Sequence, residues 1–81
     1  MQINVLLFAA AREAAKRDSI QIEVDQDASA ADVLSELGRQ IPGIEKLIPS
    51  CRLALDNCYV GNDAIVGPHQ EIALIPPVSG G

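Results

Sequence analysis

The 81-residue sequence predicts an α+β domain, a mixed sheet crossed on one face by one main helix. Three observations carry this expectation. Two apolar segments, residues 2–8 and 71–75, stand near opposite ends of the sequence and each reads as a strand apolar on both faces. Between them one long segment, residues 30–41, repeats apolar residues at helical spacing. The remaining short segments either alternate apolar and polar residues or flank a turn dipeptide.

In residues 2–8, Ile3, Val5 and Leu7 fall on one face and Leu6 and Phe8 on the other, the pattern of a central strand covered on both sides. Residues 9–16, AAAREAAK, are strong helix formers for one or two turns, with Glu13 and Lys16 spaced for an ion pair. Residues 19–25 set Ile20, Ile22 and Val24 against Gln21, Glu23 and Asp25, so this strand has one face in water and belongs at or near an edge. Ser29 and Asp32 have capping-box spacing, and Ala30, Val33, Leu34, Leu37 and Ile41 form the apolar stripe of the main helix. Gly38 inside it costs about 1 kcal/mol relative to Ala. Pro42-Gly43 stops the helix near Gln40.

Ile44, Leu47 and Ile48 suggest one further turn before Pro49. Residues 52–55 and 58–60 read as strands joined by Asp56-Asn57, side chains that tolerate the positive φ of a tight hairpin. Gly61-Asn62-Asp63 and Gly67-Pro68 mark loops, and Ile72, Ala73, Leu74 and Ile75 make the last strand apolar on both faces. Because the first and last strands are the doubly apolar ones, they are expected side by side and parallel, with the intervening chain as the crossover. That arrangement is the β-grasp, or ubiquitin-like, architecture. The expected division is a domain over residues 1–75 and a flexible, extended C-terminal tail over residues 76–81.

Composition narrows the function. Hydrophobic residues make up 48% of the chain, but only Phe8 and Tyr59 are aromatic, which leaves no platform for stacking bases. A net charge of −5 has the wrong sign for nucleic acid or an anionic membrane and suits a basic protein partner. Cys51, Cys58 and a single histidine cannot assemble a zinc site or a CxxC redox pair; both cysteines read as small buried hydrophobes of predicted strands. Neither a signal-peptide pattern nor an apolar run near the roughly 20 residues that span a bilayer is present, so a cytoplasmic location is expected. His69 belongs to an exposed Pro68-His69-Gln70 turn. Asp18, Glu23, Asp25 and Asp27 read as a solvated face, and Gly61 and Gly67 are too isolated for a phosphate cradle.

The tail is the exception to this poor inventory. Pro76 and Pro77 offer no N–H, so they end the last strand and stiffen the exit into an extended path. Six residues then reach about 20 Å. Gly80 and Gly81, without Cβ atoms, fit a narrow tunnel in another protein. The expected reactive group is the main-chain carboxylate of Gly81.

Ala73-Leu74-Ile75-Pro76-Pro77-Val78-Ser79-Gly80-Gly81, with Val5-Leu6-Leu7-Phe8-Ala9 and Arg12-Glu13 near the start, resembles the MoaD branch of the MoaD/ThiS sulfur-carrier family, the small subunits of molybdopterin synthase. The resemblance covers the whole chain. It departs at Pro68-His69-Gln70, where the family has an Asp-Gly-Asp-like turn, and at Asp56-Asn57, where a Val-Asn-like pair is common. It implies that a MoeB-like enzyme uses ATP to adenylate Gly81, that sulfur then gives a Gly81 thiocarboxylate, and that this group donates sulfur to cyclic pyranopterin monophosphate in molybdenum cofactor biosynthesis. The donor would be a non-catalytic subunit that needs a MoaE-like large subunit, in a heterotetramer. Pro76, Pro77, Val78, Ser79 and Gly80 would enter that partner's active site, with Phe8, Leu74 and Ile75 at the interface. No bound cofactor or metal and no nucleic-acid or membrane partner is implied. The alternatives are a ThiS-like carrier for thiamine thiazole synthesis, a ubiquitin-like protein modifier joined through Gly81 to lysines, and an interaction module with an inert tail.

Overall fold

The computed structural model describes residues 1–68 and 70–76. Its elements are β1 (Gln2–Leu7), α1 (Ala9–Ala15), β2 (Ser19–Glu23), α2 (Ala30–Gln40), β3 (Arg52–Leu55), β4 (Cys58–Val60) and β5 (Ile72–Ile75), with 3-10 turns at Pro42–Ile44 and Ile48–Ser50. The strands form one sheet in the order β2-β1-β5-β3-β4. As the sequence predicts, the first and last strands are neighbours and parallel, with Val5 opposite Ile72 and Leu7 opposite Leu74. Every other pairing is antiparallel. β2 is an edge strand, and β5 lies in the middle.

Local chemistry sets the element boundaries. The Ser29 hydroxyl accepts from the Asp32 N–H at 3.2 Å, and the Asp32 carboxylate accepts from the Ser29 N–H at 3.0 Å, so α2 opens with a complete capping box. It ends at Gln40, before Pro42. Packing does not demand a glycine at position 38: a Cβ there would sit at ordinary contact distance, 3.4 Å, from Ile48 Cγ1. The Asp56-Asn57 turn has φ of 51° and 69°, the pair of positive values a two-residue hairpin requires. Asp56 also fastens this hairpin to the entry of β5. Its N–H donates to the Glu71 carbonyl at 2.8 Å, and its Oδ1 accepts from the Glu71 N–H at 2.9 Å.

The core lies between α2 and one face of the sheet. Val5, Leu7, Leu53, Ile72 and Leu74 from the strands meet Val33 and Leu37 from α2, all with essentially no exposed surface. Four local expectations are corrected. β1 is not covered on both sides: Ile3, Val5 and Leu7 are buried, but Gln2 and Asn4 are exposed, Leu6 is half-buried and Phe8 is exposed, because one helix covers only one face. On β5 the same holds for Ile75, which is half-buried. Lys16 takes the left-handed conformation that terminates α1 (φ 59°), and among the described residues the ion pair there is Arg12–Asp18 at 3.7 Å instead of Glu13–Lys16. Cys58 is exposed on edge strand β4, while Cys51 is buried just before β3.

Candidate functional site

Alternation along the strands places Leu6, Ala54, Tyr59 and Ala73 on the sheet face away from α2. They stand directly opposite one another across four strands: Leu6 with Ala73, Ala73 with Ala54, and Ala54 with Tyr59. The two alanines keep the middle of this row low. Around them Phe8, Ile75, Asn57, Tyr59 and Glu71 border a hollow of about 230 Å³. Phe8 and Tyr59 are 44% and 59% exposed and stand on the border of the same hollow. Arg52, opposite Ile75, holds its guanidinium 5.3 Å from the centre of the Tyr59 ring, a cation–π contact.

The last described residue, Pro76, lies at the end of the same sheet, where the segment expected as a tail begins. Since β5 runs parallel to β1, it ends beside Phe8 and α1. The chain turns sharply there, because Ala9 has φ of 51°. Of the residues expected at an interface, Phe8 and Ile75 border the hollow. Leu74 points to the opposite face, where none of its surface is exposed, so its side chain contributes packing. Pro76 is buried where the strand ends. Pro77, Val78, Ser79, Gly80 and Gly81 lie outside the described residues, as does His69. Ala54, Tyr59 and Arg52 were not among the sequence candidates. The signal for them was present in the hairpin register, which puts Tyr59 opposite Ala54 once Asp56-Asn57 is taken as a two-residue turn.

The titratable groups offer little independent chemistry. Burial pushes the Cys51 thiol up, which keeps it protonated and unreactive near neutrality. Hydrogen bonds from Arg39 and Gln40 hold the Glu36 carboxyl below its usual range, on the surface of α2 away from the hollow. Asp18, Glu23, Asp25 and Asp27 are exposed. Among the described residues no three His, Cys, Asp or Glu side chains converge as a metal site would require, and no helix is long and apolar enough to cross a membrane. The hollow and its aromatic borders are suited to contact.

Comparison with known proteins bears on that contact surface. The sequence model of the ThiS family matches residues 5–81. A molybdopterin synthase sulfur carrier subunit from Arabidopsis thaliana is 36% identical over 81 residues, covering 100% of this chain and 84% of that protein. The Homo sapiens molybdopterin synthase sulfur carrier subunit is 35% identical over 83 residues, covering 99% and 94%. Among solved structures, SAMP1 from Haloferax volcanii matches with a TM-score of 0.85 at 26% identity, covering 100% of both chains. A chain in the complex of subunits 1 and 2 of molybdopterin-converting factor from Helicobacter pylori shares the fold, with a TM-score of 0.68 at 20% identity and full coverage of both chains. The chain therefore belongs to the ThiS/MoaD family of β-grasp proteins, and its homologues in plants and animals are molybdopterin synthase sulfur carrier subunits.

Proposed function

We propose that this protein is the sulfur-carrier subunit of a molybdopterin synthase, with Gly81 as the carrying residue. The observation that carries the reading is likeness over the whole chain to molybdopterin synthase sulfur carriers, within a family match that runs through Pro76-Pro77-Val78-Ser79-Gly80-Gly81. An ATP-dependent activating enzyme of the MoeB kind joins the Gly81 carboxylate to AMP with release of pyrophosphate. Carboxylate is a poor electrophile, and the acyl-adenylate supplies a leaving group. A sulfide-level nucleophile then displaces AMP and leaves a thiocarboxylate. The carrier itself holds no cofactor; ATP is spent by the activating enzyme.

The thiocarboxylate is a soft nucleophile delivered into the active site of a large subunit, where it attacks cyclic pyranopterin monophosphate. The partner supplies the acid–base groups, while the carrier supplies position and a local concentration of sulfur. The exposed aromatic hollow beside the root of the tail supports this division, since it offers a docking surface and little catalytic chemistry. A cytoplasmic site of action and a heterotetramer with the large subunit belong to the same reading.

The test is intact-mass analysis after incubation with the activating enzyme, ATP and sulfide. Replacement of one oxygen by sulfur, mapped to Gly81, is expected; Gly81→Ala or one residue added after Gly81 should abolish sulfur transfer to the pterin with the fold unchanged. Full product formation by the extended form would refute the reading. The likeness to SAMP1, a small archaeal modifier protein, favours a second reading as a protein modifier. Its signature is the mass of this chain joined to lysines of other proteins.

A further inference from the structure

The net charge of −5 hides a strong polarity along the strands. Arg12, Lys16 and Arg17 lie on α1 and the turn leading into β2, at the end of the sheet where β5 finishes, and Arg52 stands opposite Ile75 at that same end. Arg39 and Lys46 lie on this side too. Gln40, next to Arg39, lines one depression with Arg17 and Ser19, and Lys46 follows the 3-10 turn in which Gly43 lies against the Ala14 carbonyl. All six basic side chains therefore gather towards the root of the tail, with Glu13, Asp18, Glu36 and Glu45 among them, so six cations less four carboxylates leave that end two positive charges in excess before the chain's own terminal carboxylate is counted. At the other end stand Glu23, opposite Gln2, then Asp25 and Asp27 in the following turn, and Asp56 with Glu71 where β3 gives way to its hairpin.

The two ends act separately on a docking partner. β1 alone spans about 20 Å, more than two Debye lengths at physiological salt, and the molecule's longest extent is 35 Å. A surface that meets the root of the tail at contact distance experiences this local positive excess, with the carboxylates of the other end screened. Those cations are available: Arg12 is 58% exposed with its ion pair to Asp18 at 3.7 Å, and Lys16 and Arg17 are exposed with no ion pair among the described residues.

We propose that this polarity turns the carrier tail-first towards a protein whose tail-receiving pocket is rimmed by Asp and Glu, the activating enzyme being the first such protein the tail must enter. The expectation of a basic partner, drawn from net charge, is thereby reversed for this end of the molecule. The proposal rests on the sulfur-carrier reading, and its test separates the two. The association rate of the full chain with its cognate activating enzyme is measured by stopped-flow fluorescence at low and high salt, for wild type, for Arg12→Glu with Lys16→Glu and Arg17→Glu, and for Glu23→Lys with Asp25→Lys and Asp27→Lys. The wild type is first required to gain sulfur, which decides the carrier reading by itself. Reversal at the root is expected to slow association about tenfold or more at low salt, with the difference closing at about 0.5 M salt as screening takes hold. Reversal at the far end should leave the rate unchanged or raise it. A triple Gln variant at the root, expected to fall between wild type and reversal, guards against a folding defect. An unchanged or faster rate for the root reversal, or an equal slowing by the far-end reversal, overturns the proposal.

Discussion

On the helix side of the sheet, Val5, Leu7, Leu53 and Leu74 are sealed beneath α2, whereas on the reverse side their chain neighbours Leu6, Phe8, Ala54 and Ile75 border or face the open surface. One step along a strand separates a residue that holds the domain together from one available to another molecule. Both sets are apolar, so what distinguishes them is cover. The helix-side residues are needed for folding, and the open-side residues are needed only when something docks. Slipping any strand by one residue would exchange the two sets, which makes the register a functional as well as a structural specification.

The comparison is broken most directly by truncating one residue on each side. Leu53→Ala, beneath α2, should cost about 2–5 kcal/mol in urea unfolding; a loss below about 1 kcal/mol would mean that the covered face is not the principal core. Tyr59→Ala and Phe8→Ala should each change stability by no more than about 1 kcal/mol yet weaken large-subunit binding by about 2 kcal/mol in calorimetry. Binding left at wild-type strength by both would remove the open face from the interface.

Two glycines, one in α2 and one in the 3-10 turn that follows it, give tests of smaller amplitude. Gly38→Ala adds a Cβ at ordinary contact distance from Ile48 and gains helix propensity, so it should stabilise by a few tenths up to about 1 kcal/mol. At Gly43 a Cβ would meet the Ala14 carbonyl oxygen at 3.1 Å, and Gly43→Ala should lower the midpoint of unfolding. The opposite order of the two midpoints would contradict the packing described for α1 and the 3-10 turn.

The smallest effects are in titration. Cys58 should be alkylated quickly and Cys51 only on unfolding. Because burial raises the folded Cys51 pKa above the ordinary 9.0, the unfolded thiol ionises first; stability should be level below that pH and fall as pH rises towards the folded value. Glu36 runs the other way. Its lowered pKa gives a contribution present above its ordinary 4.5 and lost as pH falls through the folded value, and the exposure of its partner Arg39 to solvent keeps it slight. Glu36→Gln, followed by acid titration of stability, should remove that component.

Much of this fold is legible in the sequence because its signals are local. Ser29 and Asp32 announce the helix start, Pro42 its end, and Asp56-Asn57 the hairpin, each through a hydrogen bond or a dihedral preference within a few residues. The β1–β5 pairing is legible for another reason: only a strand flanked on both edges by other strands is expected to carry such continuous apolar character. The same pattern misleads about cover. Leu6 and Ile75 have the hydropathy of core residues, and periodicity cannot tell a position shielded by its own helix from one left for a partner. Arg52 and Tyr59 escape notice because their contact crosses strands. The segregation of charge likewise appears only once the registers fix which residues share an end of the sheet.

The central position of β5 has a consequence for how the protein comes into being. A strand from residues 72–75 inserts between β1 and β3, so the sheet closes only after a loop of roughly 65 residues has been drawn together, a slow and non-local event. Until then the chain has no completed core, and β5 has no fixed place at which to end. Closing the sheet and fixing the point where its last strand ends are thus one event, so a partner that recognised the assembled sheet would select folded protein.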